Sequence, residues 1–385
     1  MGAAYGGYKL GEHYIVDPEA KMDVVERCRK YGFKAEKYFV ETDDHYILQV
    51  FRLIPETELP NPIKKPSLIL QHGFDDSCFC WVSHKEKSPA FLLANKGYDV
   101  WMNNSRGNIF SRLHRYLDPE ADPEFWDYSL EEMGMVDSKA VIKHVKQQTG
   151  HDKVTFVGQS QGSAQMFYAL SRDSEWFREH LNLFVALAPV TRVSRDSFPF
   201  YQKLIKRKSL LRFLDWLEMT DLYNKDTVLM NMAYLLARVW PGFVNKAQRF
   251  IHDGVPEVND HESVLRFWYR HQGGNSYKNL MHWKQVLQKE RFVRFDYGEK
   301  INMIKYGTPS PPDIDLTRIH SVPIALFCGN YDVISSKFDV DWTKSKLSKD
   351  CLVFHQNYDY GHISFNCAKD MSYIDDLCKL IDAHQ

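Results

Sequence analysis

Lys153-Val154-Thr155-Phe156-Val157-Gly158 is an apolar run with a polar border, and it leads directly into Gly158-Gln159-Ser160-Gln161-Gly162. A short apolar run bounded by turn residues reads as a buried strand, and the stretch from Met166 to Leu170 beyond it reads as helix. A serine held between strand and helix, with glycine two residues to either side, has few ways to fold. The glycines let strand and helix approach without a Cβ clash. The serine is driven into a strained turn with φ above zero, and its hydroxyl projects at the C-terminal edge of a sheet. The five-residue pattern alone arises by chance in about one chain in eight of this length. The strand before it and the helix after it therefore separate it from an ordinary glycine-rich turn.

The rest of the chain supplies a matching sheet. Ser67-Leu68-Ile69-Leu70-Gln71 and residues 98–103 and 183–187 read as further buried strands. Residues 131–148 have helical spacing, with Met135, Val136, Ala140, Val141 and Val145 on one side. Strand and helix in alternation predict an α/β chain whose mostly parallel sheet is flanked by helices on both faces. Residues 191–316 break the alternation with amphipathic helical stretches rich in aromatics. Buried-strand character returns in Ile324-Ala325-Leu326-Phe327-Cys328-Gly329 and again in 351–355, and residues 370–383 read as a closing helix. The predicted organisation is a core of residues 1–190 and 317–385, interrupted by a helical cap or lid insertion of residues 191–316.

A serine on such a turn needs a base, and the base needs an orienting acid. In this fold class they follow in the order serine, acid, histidine. Asp332 comes just after the strand ending at Gly329, and His362 lies beyond the last strand in Tyr358-Asp359-Tyr360-Gly361-His362. Asp339 and Asp341 compete for the acid, and His355 and His320 for the base. His355 falls within a predicted strand, where a packed core histidine is expected. The oxyanion of a tetrahedral intermediate needs donors set in advance. These are assigned to the backbone N–H groups of Gln161, at the start of the helix, and of Phe74, in the loop Gln71-His72-Gly73-Phe74. His72 reads as a hydrogen-bonding residue of that loop.

These stretches together resemble the acid lipases, the gastric and lysosomal lipases and their relatives. The resemblance is carried by Leu70-Gln71-His72-Gly73-Phe74, by Gly97-Tyr98-Asp99-Val100-Trp101-Met102-Asn103-Asn104-Ser105-Arg106-Gly107-Asn108, by the serine turn, and by Gly361-His362-Ile363-Ser364-Phe365. Glu124-Phe125-Trp126 and Asn279-Leu280-Met281-His282-Trp283 add to it, and residues 42–48 look like the family's early strand pair. The resemblance runs over nearly the whole chain. It implies an α/β-hydrolase fold with a helical cap over the site and lipid esters as substrates. It also implies Ser160, Asp332 and His362 as catalytic triad, Phe74 and Gln161 as oxyanion donors, and no metal or organic cofactor. The sequence departs from the family at Gln159, where His is usual, at Phe74, where Leu is usual, and at Ile363-Ser364-Phe365, where Leu-Asp-Phe is usual.

Composition narrows the alternatives. With 49 basic and 50 acidic residues in 385, the net charge is -1, so no long-range field collects nucleic acid. There is no HExxH, paired CxxC, Walker loop or dinucleotide glycine turn. The seven cysteines are odd in number and lack the spacing of a disulfide scaffold, and residues 191–316 contain none. Residues 1–10 lack an apolar h-region and no apolar stretch is long enough to span a membrane. The expectation is an intracellular, cytoplasmic protein, with a lysosomal or secreted location requiring a leader that was removed. Lys203-Leu204-Ile205-Lys206-Arg207-Lys208, followed by Leu210, Leu211, Phe213, Leu214 and Trp216, is a basic amphipathic stretch. It suits either a solvated helix face or peripheral contact with an anionic membrane or lipid droplet. The rival to an ester hydrolase is a lipase-like protein of little turnover, serving as a structural or lipid-binding partner in an assembly whose protein partner is unknown.

Overall fold

The computed structural model describes residues 17–56, 66–194, 197, 240–270 and 273–385. Its strands are β1 (Phe33–Glu41), β2 (Tyr46–Pro55), β3 (Ser67–Gln71), β4 (Asp99–Met102), β5 (Leu113–His114), β6 (Val154–Gln159), β7 (Leu181–Leu187), β8 (Ile324–Gly329) and β9 (Leu352–Tyr358). They form one sheet in the order β1-β2-β4-β3-β6-β7-β8-β9, with β5 paired to β2. The β1–β2 and β2–β4 pairings are antiparallel, and every pairing from β4 through β3 to β9 is parallel.

Every residue of β3 and β6 is buried, as continuous apolar runs require of strands covered on both faces. Alternate side chains divide between two cores. Leu68, Leu70, Val157, Leu183, Val185, Ala325 and Phe327 pack with helices α1 (Pro89–Asn95) and α8 (Tyr373–Ala383). Ile69, Phe156, Phe184, Ala186, Ile324 and Leu326 pack with helices α2 (Ser138–Thr149) and α3 (Gln161–Arg172) on the other face.

Several expected boundaries move. The strand expected at 98–103 is only Asp99–Met102, and β7 begins at Leu181 rather than 183. The strand expected as buried at 351–355 runs Leu352–Tyr358 and is mostly half-exposed, because it is the sheet's outer strand. The helix expected at 131–148 begins at Leu130 and passes through a π-turn, Met133–Asp137, before α2. The closing helix begins at Tyr373 instead of 370.

Between β7 and β8 the described residues carry helices α4 (Pro241–Ile251), α5 (His261–Arg270), α6 (Tyr277–Lys289) and α7 (Glu299–Tyr306), and only isolated β-bridges. Part of this segment belongs to the core, since Val244, Val264, Leu265 and Phe267 share the cluster of α1 and α8. The basic stretch 203–208 and the residues after it lie outside the described residues, as do residues 1–10.

Candidate active site

The turn between β6 and α3 places Ser160 at φ 53° and ψ −120°, the strained conformation expected for it. The close approach that this turn needs is visible at Gly162. A Cβ there would stand 2.7 Å from the carbonyl oxygens of both Gln71 and His72. The Ser160 N–H donates to the Leu187 carbonyl at 3.0 Å, fixing the turn to β7. The serine is partly exposed, as a group that must meet a substrate should be.

Asp332 and His362 arrive from the loops after β8 and β9, at the same edge of the sheet. His362 Nε2 lies 2.8 Å from Ser160 Oγ, and His362 Nδ1 lies 2.8 Å from Asp332 Oδ2. An ionised carboxylate only accepts, so the proton on the neutral ring belongs on Nδ1 and Nε2 is left to accept from the serine. The other oxygen, Asp332 Oδ1, accepts from the backbone N–H groups of Ile334 and Ser335, both at 2.8 Å. Those two bonds fix the carboxylate's rotation. Asp332 and His362 are buried, which strengthens their attraction.

The rivals are occupied elsewhere. Asp339 accepts from Arg192 and from the serines Ser194 and Ser197, and Asp341 pairs with Lys344. His320 is exposed and pairs with Glu175 at 2.6 Å, and His355 lies within β9. His72 acts as a strut. Its Nε2 accepts the Ser105 N–H at 3.0 Å, so its Nδ1 carries the proton and donates to the Gly73 carbonyl at 2.9 Å.

The two oxyanion candidates flank the serine. Gln161 follows it at the start of α3. Phe74 follows Gly73, where a Cβ would stand 3.2 Å from Ser160 Cβ. Among the described residues, neither N–H takes part in the backbone hydrogen bonding of the surrounding turns and loops. The Gln161 side chain is tied down by α6, for its Oε1 accepts from Asn279 Nδ2 at 2.8 Å and Trp283 Nε1 at 2.5 Å.

Both polar departures from the acid-lipase pattern have work here. Gln159 Nε2 donates to the His362 carbonyl at 3.2 Å, while its Oε1 accepts from Asn366 Nδ2 at 2.5 Å. Ser364 Oγ accepts the Gly361 N–H at 2.8 Å and donates to Asn259 Oδ1 at 2.6 Å. Sequence reasoning missed Asn259 and Asp253, which reach the base turn from the segment between β7 and β8. Asn279 and Trp283 fall in a stretch of the acid-lipase resemblance that implies no role for them. No local pattern marks Asn259 or Asp253. Among the described residues no group of three or more His, Cys, Asp or Glu side chains is arranged to hold a metal ion.

Known proteins resemble this chain along most of its length. Residues 66–365 match the model of the alpha/beta hydrolase fold, and residues 24–85 match that of a partial alpha/beta-hydrolase lipase region. Gastric triacylglycerol lipase of Bos taurus is 34% identical over 92% of this chain and 89% of its own length. Lipase member K of Homo sapiens is 31% identical over 96% of this chain and 92% of its own. Among solved structures, the α/β hydrolase GrgF from a Penicillium species superposes with a TM-score of 0.51 at 13% identity, covering 91% of this chain and 98% of that one.

Proposed function

This chain belongs to the α/β-hydrolase family, among its acid lipases, and from that premise we propose that Ser160 is the nucleophile of a lipid-ester hydrolase. The observation that carries the reading is the unbroken line from Ser160 Oγ through His362 to Asp332, with both contacts at 2.8 Å.

Ser160 Oγ attacks the ester carbonyl while its proton passes to His362 Nε2. The imidazolium is held by Asp332 at Nδ1, and the oxyanion is received by the Phe74 and Gln161 N–H groups. When the intermediate collapses, the alcohol leaves with the proton from Nε2 and the acyl group stays on Ser160. Water, deprotonated by the same imidazole, repeats the attack and frees the carboxylic acid. All of these steps use groups already on the sheet edge.

In this reading the cap lies within residues 191–316, apart from the portion around Val244 and Val264–Phe267 that packs into the core, and it is supported by the lack of strands among their described residues and by the contacts of α6 with Gln161. Acylglycerols and sterol esters are the substrates favoured by so aromatic a segment, and its basic stretch at 203–208 would meet anionic lipid. Among the described residues no helix is long and apolar enough to cross a membrane. The cytoplasmic expectation gains nothing from the relatives, several of which are gastric by name. All seven cysteines are buried and none lies in a disulfide.

Hydrolysis of an ester panel of rising acyl length tests the reading, with wild type beside Ser160→Ala. Turnover that rises with chain length and vanishes in the variant is expected. A folded wild type that cleaves none of them, even in detergent, would return the assembly-partner reading.

A further inference from the structure

Asp253 is 0% exposed and lies just beyond α4, far from the triad in sequence. Its backbone is bridged antiparallel to Asp332: the Gly254 N–H donates to the Tyr331 carbonyl at 2.7 Å and the Val333 N–H to the His252 carbonyl at 3.3 Å. Its carboxyl meets the other loop. Oδ1 accepts the Ile363 N–H at 3.2 Å, and Oδ2 accepts from Asn259 Nδ2 at 2.6 Å. Asn259 in turn accepts from Ser364, so one short segment grips the base turn from two sides. The fit is tight, because a Cβ on Gly361 would stand 2.1 Å from Asp253 Oδ1. One buried residue therefore touches the loops of both the acid and the base.

We propose that Asp253 is a positioning residue for the reaction: it holds the turn that carries His362 and places a second carboxyl behind the Asp332–His362 pair. The proposal rests on the Ser160 reading above and adds to it the pH behaviour of the site. The titratable groups packed around the carboxyl from neighbouring elements are Asp332, His362 and the thiol of Cys367, with His252 beside it in sequence. Burial, and then the charge of Asp332, push the Asp253 carboxyl up to about 7. Both oxygens accept from N–H groups, which suits the ionised form. Near neutral pH the carboxyl is thus poised to gain or lose its charge. While charged it sets a second negative charge beside the catalytic pair, and when it takes a proton that charge is withdrawn. Its own titration therefore adds to the pH dependence of the site.

The test is the pH dependence of fluorophosphonate labelling and of kcat/KM, for wild type and Asp253→Asn. In the wild type the acid limb should be shallower than a single-proton curve. In Asp253→Asn it should sharpen to a single-proton curve. The kcat should fall about tenfold through looser placement of the imidazole, with KM within about twofold. A wild-type limb that fits one proton, or a variant profile of wild-type shape scaled uniformly, would overturn the proposal. The wild-type limb decides the matter alone if Asp253→Asn fails to fold. An unlabelled wild type would instead strike the Ser160 reading on which the proposal rests.

Discussion

The two sides of the candidate site are built differently. The serine side is local: β6, the turn and α3 are contiguous, and Gly162 fits against the end of β3 because no side chain intervenes. The base side is assembled from a distance. His362 is held by Gln159 through its carbonyl, by Ser364 and Asn259 through its turn, and by Asp253 from beyond α4. A local device is enforced by backbone sterics, whereas a remote one depends on polar contacts that can be cut singly. The serine side should therefore fail through folding and the base side through catalysis.

The largest expected effect sharpens that contrast. Asp332→Asn keeps an oxygen for the Ile334 and Ser335 N–H groups but loses the charge that fixes the imidazole tautomer. Its kcat should fall about 10³–10⁴-fold, with a melting temperature close to wild type by calorimetry. Stability to spare with activity gone is the mark of the base side.

Gly162→Ala attacks the other side. Its Cβ would meet two carbonyl oxygens at 2.7 Å, and the backbone has to move. A loss of about 3 kcal/mol or more in denaturant unfolding is expected, with activity falling in step. A normally stable Gly162→Ala would break the comparison.

Asn366→Ala removes the Gln159 anchor at 2.5 Å, and so loosens the His362 carbonyl without touching the triad. A fall in kcat of about tenfold with unchanged KM is expected from steady-state kinetics. A rise in KM with kcat unchanged would place Gln159 in substrate binding instead.

The smallest effect is thermodynamic. Burial, and then the charge of Asp332, push the folded Asp253 carboxyl up to about 7, above the ordinary 3.8 of an aspartate in the unfolded chain. The folded state therefore takes up a proton first. That contribution to stability is full below 3.8 and is lost as pH rises through about 7. Wild type should gain on Asp253→Asn by about 1 kcal/mol between pH 8.5 and 6.5, read as a growing difference in melting temperature. Taking the difference cancels the buried histidines, His282 among them, whose lowered proton affinity works in the opposite direction.

This contrast also explains what the sequence could reveal. The strands of the parallel sheet are apolar runs, the serine turn is a five-residue pattern, and Asp332 and His362 follow from strand order. Periodicity and spacing report such features directly. Asp253, Asn259 and Asn366 have no pattern of their own, since a lone polar residue gains meaning only from the backbone N–H or side chain it meets in the fold. β9 was misjudged for a related reason, because an apolar run does not say whether a strand is central or at the edge.

The central claim is that Ser160 is activated by His362. Labelling with a fluorophosphonate, followed by mass spectrometry of the peptide around residue 160, tests it most directly. Modification of Ser160 in the wild type that is absent in Ser160→Ala and abolished in a folded His362→Ala is the predicted result. Modification at another residue, or labelling of His362→Ala at the wild-type rate, would contradict it.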